Sequence, residues 1–383
     1  MDQMRRSQNY RFWFLVIALL ASAATQVALE HRPSILRPGL RLCAYVASDD
    51  GNVTVIDLAR LAAVSTIPVG PAPSGMREHP TRKEIWGVST TGNYVWVIDA
   101  PHDNVAVRIP VGAAPFALDF SPDGSRAYVA SSGSSTVVAI DCLTRQIVAR
   151  GRTGRRPWLA RVTPDGKYVL VPNHDDGTLQ VFSGQSLELA ATIPVASNPE
   201  QVTILPDSSV AFVSAAGSNQ ISVVDLRSFA LLTNLPAGGT PADLILKPDG
   251  GELYVTSPAS NGMEVINTWT HEVAETLVLG AAPTRGILTS DAGVLYISDA
   301  AAGRIMPLEI GSRRLHVPIP VGQKPGMSRF DPEENLLLVV DEGSNDLAVI
   351  RVRTSLDPLH AAGSLITMIP VGNHPRDIAV KFF

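Results

Sequence analysis

One short signature recurs along this chain at a fixed interval: an apolar pair, often Pro-Val, then usually Gly, two variable residues and a proline. It ends on Pro73, Pro115, Pro157, Pro199, Pro241, Pro283, Pro325 and Pro375, so the first six intervals are 42 residues each and the seventh is 50. A period of this length marks a supersecondary unit that cannot bury its own apolar surface and must stack on its neighbours. Other positions keep the same phase. Thirteen residues after the prolines stand Trp86, Tyr128, Leu170, Phe212, Tyr254, Tyr296 and Leu338. Pro122-Asp123-Gly124, Pro164-Asp165-Gly166 and Pro248-Asp249-Gly250 are turns, because Pro presets one turn dihedral and Gly accepts a positive φ. Each unit reads as four short strands, which after Pro115 are 116–121, 126–131, 136–141 and 146–150. Radial stacking of such sheets covers their faces and protects their edges.

The ends of the chain decide the count. Seven units run from Pro73 to Pro375, while Cys43 to Ile67 holds three further strands and Arg376 to Phe383 holds one. Three and one complete a blade. The expected fold is therefore all-β, an eight-bladed β-propeller of four-stranded antiparallel blades closed by N- and C-terminal strands in one blade. Seven blades is the alternative should one unit fail to fold as a blade. The longer seventh interval places an insertion around residues 354–364.

Composition excludes several classes. Charged residues are 17% and hydrophobic residues 45%, against roughly 25% charged in an average chain, which argues against disorder and coiled coil. A formal net charge of −5 supplies no global basic field, so no nucleic-acid partner is expected. Cys43 and Cys142 are too few for a disulfide scaffold and are expected to be buried free thiols. Arg5, Arg6 and Arg11 precede the apolar run from Phe12 to Ala24, with Ala21-Ser22-Ala23 as a cleavage signal, so residues 1–23 read as a secretory signal peptide. Residues 24–42 then form a linker and 43–383 the propeller, with a periplasmic or secreted location. Retention of the apolar run as an anchor is the alternative, and only then would a membrane be a partner. A monomer is expected.

The combination PVGxxP, SPDG, YV(T/A)(N/S) and VID resembles the YVTN β-propeller repeat of exported bacterial and archaeal surface proteins, which is related to the haem-binding propeller of cytochrome-type nitrite reductases. Tyr128-Val129-Ala130-Ser131, Tyr254-Val255-Thr256-Ser257 and Tyr45-Val46-Ala47-Ser48 carry the likeness, over about residues 43–383. The resemblance implies the fold and leaves the function open, since propellers host many unrelated activities.

In a propeller the loop before each anchor proline opens on one mouth, and the strand after it borders the channel. Arg155, Arg156, Trp158, Glu200, Arg285, Lys324 and Arg376, with His174 on a neighbouring hairpin, are the candidate ligand-binding residues. Guanidinium forks at a mouth suit carboxylates, phosphates or acidic segments. Arg77, Asp119, Arg161, Gln201, Asp243, Arg329 and Asp377 are expected to line the channel, where mutual pairing is the simpler role and ligand binding the alternative. No metal site is expected: the eight His fall on scattered phases, and Cys-x-x-Cys-His and His-Glu-x-x-His are both absent. Asp49-Asp50-Gly51 and Asp175-Asp176-Gly177 lack calcium-loop spacing and read as turns. The expected function is a non-catalytic, exported binding propeller for an unknown protein or small anionic ligand, with no cofactor. A haem-type, lactonase or lyase propeller is the alternative, with His174 as its axial or catalytic group.

Overall fold

The structure, a computed structural model, describes residues 41–280, 282–352 and 363–383. The signal segment 1–23, all but the last two residues of the linker and all but the last two of the insertion lie outside these. The described chain forms eight antiparallel sheets, each laid out as a meander. Blades 1 to 7 begin at the seven prolines from Pro73 to Pro325, as in blade 2, with strands Pro115–Phe120, Arg126–Ser131, Thr136–Asp141 and Ile147–Arg152. Blade 8 takes Leu42–Ser48, Asn52–Asp57 and Ala62–Pro68 from one end of the chain and Pro375–Phe382 from the other. The latter strand is innermost and pairs from Leu42↔Phe382 to Ala47↔Asp377. Head and tail are thus hydrogen-bonded, which closes the ring.

Three blades depart from the repeat. In blade 5 the innermost strand is shortened to Asp243–Leu246 and starts two residues after Pro241. In blade 3 the innermost strand shrinks to Arg161–Val162, leaving a lone bridge from Pro157 to Asn173. In blade 6 the outer strand splits into Arg314–Leu315 and Ile319–Pro320, both paired to Arg304–Glu309. Pro307 on that partner strand lacks an N–H to give the ladder, and only its carbonyl is used, by His316 N at 2.9 Å.

The apolar core is eight separate interfaces, one between each pair of adjacent blades. Tyr45, Val53 and Val55 meet Met76, Ile85 and Trp96 across blades 8 and 1, and Trp86 and Val88 meet Leu118 and Phe120 across blades 1 and 2. The large residue thirteen positions after the anchor is the centre of this packing, with Trp86, Phe212 and Tyr254 fully buried. A residue at a positive φ thirty positions after the next anchor reaches back onto it. Arg145 lies 4.9 Å from the Trp86 ring centroid, Arg313 5.7 Å from that of Tyr254, and His271 6.5 Å from that of Phe212. Glu84 completes the first clamp, accepting from Trp86 Nε1 at 3.0 Å and Arg145 Nη2 at 2.5 Å. Burial alone would raise the Glu84 pKa, but the hydrogen bonds of Arg145, Trp86 and Arg82 hold it below the usual range. Cys43 and Cys142 are both buried and form no disulfide, and burial pushes the Cys142 thiol up to about 12, which leaves it unreactive.

Because stability is shared between neighbouring blades, the effect of a lesion depends on which interface it opens. Tyr254→Ala is expected to cost ~3–5 kcal/mol, read as a lower denaturant midpoint. Removing Arg376–Phe383 is expected to cost more, since it uncovers the inner edge of blade 8; a truncated chain melting like the parent would refute closure by the C-terminal strand.

Candidate functional site

The innermost strand of every blade has one edge with no strand partner, and its N–H and C=O groups face the channel. The charged channel residues meet that demand. Asp377 Oδ2 accepts from Met76 N at 2.7 Å, joining blade 8 to blade 1. Arg77 Nε donates to Leu118 O at 3.4 Å, Asp119 Oδ2 accepts from Val162 N at 3.0 Å, and Arg161 Nε donates to Val202 O at 3.2 Å. Gln201 Nε2 then donates to Ala242 O at 2.7 Å, and Asp243 Oδ2 accepts from Gly286 N at 3.1 Å. Six successive interfaces are tied in this way. The charges also pair, with Asp119 3.8 Å from Arg77 Nε and 3.5 Å from Arg161 Nη1. Arg329 donates to Ser328 O at 2.9 Å on its own strand and offsets the charge of Asp377, whose pKa is nevertheless raised by burial.

The mouth is built from the loops before the anchor prolines and the hairpins between second and third strands. The two sets bond through backbone pairs such as His174 N to Arg156 O, 3.1 Å, and Glu342 N to Lys324 O, 3.1 Å. The residue before the proline is left-handed in several loops, including Arg156, Asn198, Lys324 and His374, at φ of 52°, 55°, 53° and 47°.

At blade 3, where the innermost strand is interrupted, the candidates from this blade and its neighbour converge. The Trp158 ring stacks on His174 at 5.7 Å and 24°, and Phe116 of blade 2 packs against it at 5.0 Å, tilted by 42°. Arg156 lies 5.8 Å from the Trp158 centroid and 3.5 Å from Asp175. Arg155 Nε meets Asp176 Oδ1 at 2.6 Å, which raises the arginine pKa further. The His174 Nδ1 sits 2.8 Å from Asp175 Oδ1 and 3.2 Å from Asn198 Nδ2, while Nε2 lies 3.7 Å from Glu200 Oε1. The hydrogen bond from His174, aided by Arg156, holds Asp175 below the ordinary carboxylate range. Burial raises Glu200, against the opposing pull of His174, Arg156 and Arg285.

Arg155, Arg156, Trp158, His174 and Glu200 therefore form one cluster. Arg285 reaches it only as a charge acting on Glu200, since its guanidinium pairs with Asp243 at 3.4 Å. Lys324 belongs to the loop of blade 7, and Arg376 bridges Asp49 at 2.9 Å and Glu342 at 3.3 Å, where blades 7 and 8 meet. The sequence reading treated Asp175 and Asp176 as turn residues only; they form the turn and also pair with both arginines. It passed over Phe116, although an aromatic directly after an anchor proline, 43% exposed, was a signal available in the repeat. Two recesses of ≈ 350 and ≈ 560 Å³ lie on the opposite face, lined by residues of the Pro-Asp-Gly-type turns together with Arg126 and Tyr128 in the first and Lys247 and Glu309 in the second.

The YNCE-like β-propeller family profile matches residues 86–294, more than half of the chain. No curated protein matches the sequence. Among solved structures, the chain is similar to the dihydro-heme d1 dehydrogenase NirN in complex with DHE, at 17% identity and a TM-score of 0.73, over 91% of this chain and 77% of that one. It is also similar to the hydrazine synthase of Kuenenia stuttgartiensis, at 20% identity and a TM-score of 0.59, over 74% and 97%. A functionally unknown protein of Desulfotomaculum acetoxidans matches at 14% identity and a TM-score of 0.60, over 76% and 97%. At these identities the likeness is one of fold.

Asp119 tests the channel assignment. Asp119→Ala removes the carboxylate shared by Arg77 and Arg161 and leaves Val162 N without its acceptor, and is expected to destabilise by ~1–3 kcal/mol in denaturant unfolding. Asp119→Asn keeps an acceptor oxygen and is expected to lose clearly less.

Proposed function

We propose that this chain, which belongs to the YNCE-like β-propeller family, is an exported, non-catalytic binding protein that takes a protein segment or small anionic ligand at the blade 2–4 mouth. The observation that carries this reading is the aromatic shelf of Phe116, Trp158 and His174, flanked by Arg155 and Arg156. An apolar or planar group fits the shelf. The two arginines are 74% and 51% exposed, and their acidic partners occupy only part of each guanidinium fork, so N–H donors remain for a ligand carboxylate or phosphate. Since Asp175, Asp176 and Glu200 balance much of the local positive charge, selectivity would come from the aromatic shelf together with the arginines and not from a positive field alone. The closed ring keeps the shelf preorganised, which reduces the ordering cost of binding.

An axial or catalytic role for His174 needs a ring nitrogen free to face a ligand. Its ring is only 13% exposed, Nδ1 is taken by Asp175 at 2.8 Å, and Nε2 faces the Glu200 carboxyl at 3.7 Å, with the ring stacked on Trp158. That arrangement favours a positioning role, in which His174 supports the Trp158 ring.

The test is affinity capture from periplasmic extract with wild type and with the triple variant Arg155→Ala, Arg156→Ala and Trp158→Ala. A ligand retained by wild type and lost by a folded triple variant is the expected result; for that ligand, Trp158→Ala alone should weaken binding by about 30-fold, the scale of an aromatic hot spot. Equal retention by wild type and triple variant would place recognition elsewhere.

A further inference from the structure

In blade 7 the strands Leu336–Asp341 and Asp346–Val352 set Asp341 directly opposite Asp346. We propose that these two carboxyls hold one proton between them, and that its loss with rising pH releases the mouth loop bearing Lys324. The inference is independent of the binding role proposed above.

Asp341 is fully buried, and among the described residues Oδ1 of each aspartate is buried without a donor. Two acceptor-only groups cannot face one another in a low-dielectric site while both are ionised, so one must carry a proton. The same cross-strand position in other blades avoids this conflict. In blade 3 it is Asn173 and Thr178, joined at 3.1 Å, and in blade 6 it is Asp299 and Arg304, joined at 2.9 Å. Blade 2 has Ser131 opposite Thr136, and blade 8 has Ser48 opposite Asn52.

The pair supports the loop directly. Asp341 Oδ2 accepts from Gly322 N at 2.9 Å, and Ser344 Oγ, on the hairpin between the two strands, accepts from Gln323 N at 2.9 Å. A Cβ on Gly322 would come within 2.7 Å of the same carboxyl oxygen, so loop and carboxyl are closely packed. The nearby charges have other engagements. Glu342 on the hairpin is paired with Arg376 of blade 8, which also holds Asp49, and Arg304 of blade 6 is held by Asp299. Lys324 stands on the loop itself, and His374 of blade 8 touches the hairpin through its backbone N, 2.8 Å from Asn345 Oδ1. Burial first, and then the charge of Asp346, pushes Asp341 up to about 8 against the pull of Gly322 N–H. In the unfolded chain an aspartate titrates near ~4, so the folded state binds the extra proton between these values. Its stabilising effect is complete at low pH and is lost as pH rises through about 8.

Amide hydrogen exchange at Gly322 and Gln323 tests this in the full chain, comparing wild type with Asp346→Asn and Asp341→Asn, in which an amide N–H replaces the shared proton. The expected result is that between about pH 4 and about pH 8 opening of the wild-type loop gains up to about tenfold per pH unit beyond base catalysis and then levels off, whereas the variants follow base catalysis alone throughout. Identical pH profiles in wild type and variants would overturn the proposal. Should neither variant fold, infrared titration of wild type decides: a protonated carboxyl band present near neutrality and bleaching with alkali supports the shared proton, and its absence rules it out.

Discussion

A four-stranded meander of this sequence has two apolar faces, and only another blade can cover them. That constraint governs the rest of the structure. It explains why the buried residues sort into eight clusters between blades, and why the bulkiest of them recur at one phase of the repeat. It also explains the C-terminal strand: without Pro375–Phe382, blade 8 would lack its innermost strand and the circle its seal. The clamps of Arg145 on Trp86 and Arg313 on Tyr254 reinforce the same interfaces from the rim, with charge neutralised by Glu84 and Glu252.

Stacking solves the faces and leaves the inner edges. A ring of innermost strands presents backbone donors and acceptors to a narrow channel, and side chains from adjacent blades take them up. This accounts for the arginines and aspartates along the channel. Apart from Arg329, which bonds within its own strand, each carboxylate or guanidinium serves a neighbour's backbone as well as an opposite charge, an arrangement that justifies burying ionic groups at all. Residues committed in this way are poor candidates for ligand contact.

Distinctive chemistry appears where the repeat is broken. The shortened innermost strand of blade 3 accompanies the assembly of Trp158, His174 and the two arginines, and the substitution of a carboxyl for a donor in blade 7 creates the Asp341–Asp346 pair. Both lie at the mouth, beside loops that carry a left-handed residue before the anchor proline.

The period of the sequence determined the fold class, the blade count and the closing of blade 8 by both termini, because stacked meanders demand equal units and local turn chemistry marks their ends. It also told inward from outward residues, since alternation along a strand is a local property. It left open which of the mouth residues meet. Arg155, two residues before its anchor proline, and Arg376, one residue after its own, both reach the mouth, yet one joins Asp176 within its blade and the other joins Asp49 and Glu342 where two blades meet, because partners are chosen by distances that no repeat phase encodes. Only the tertiary structure separated the blade 3 cluster from the latch between blades 7 and 8, brought Phe116 onto Trp158, and placed two aspartates, five positions apart in one hairpin, face to face with no donor to either Oδ1.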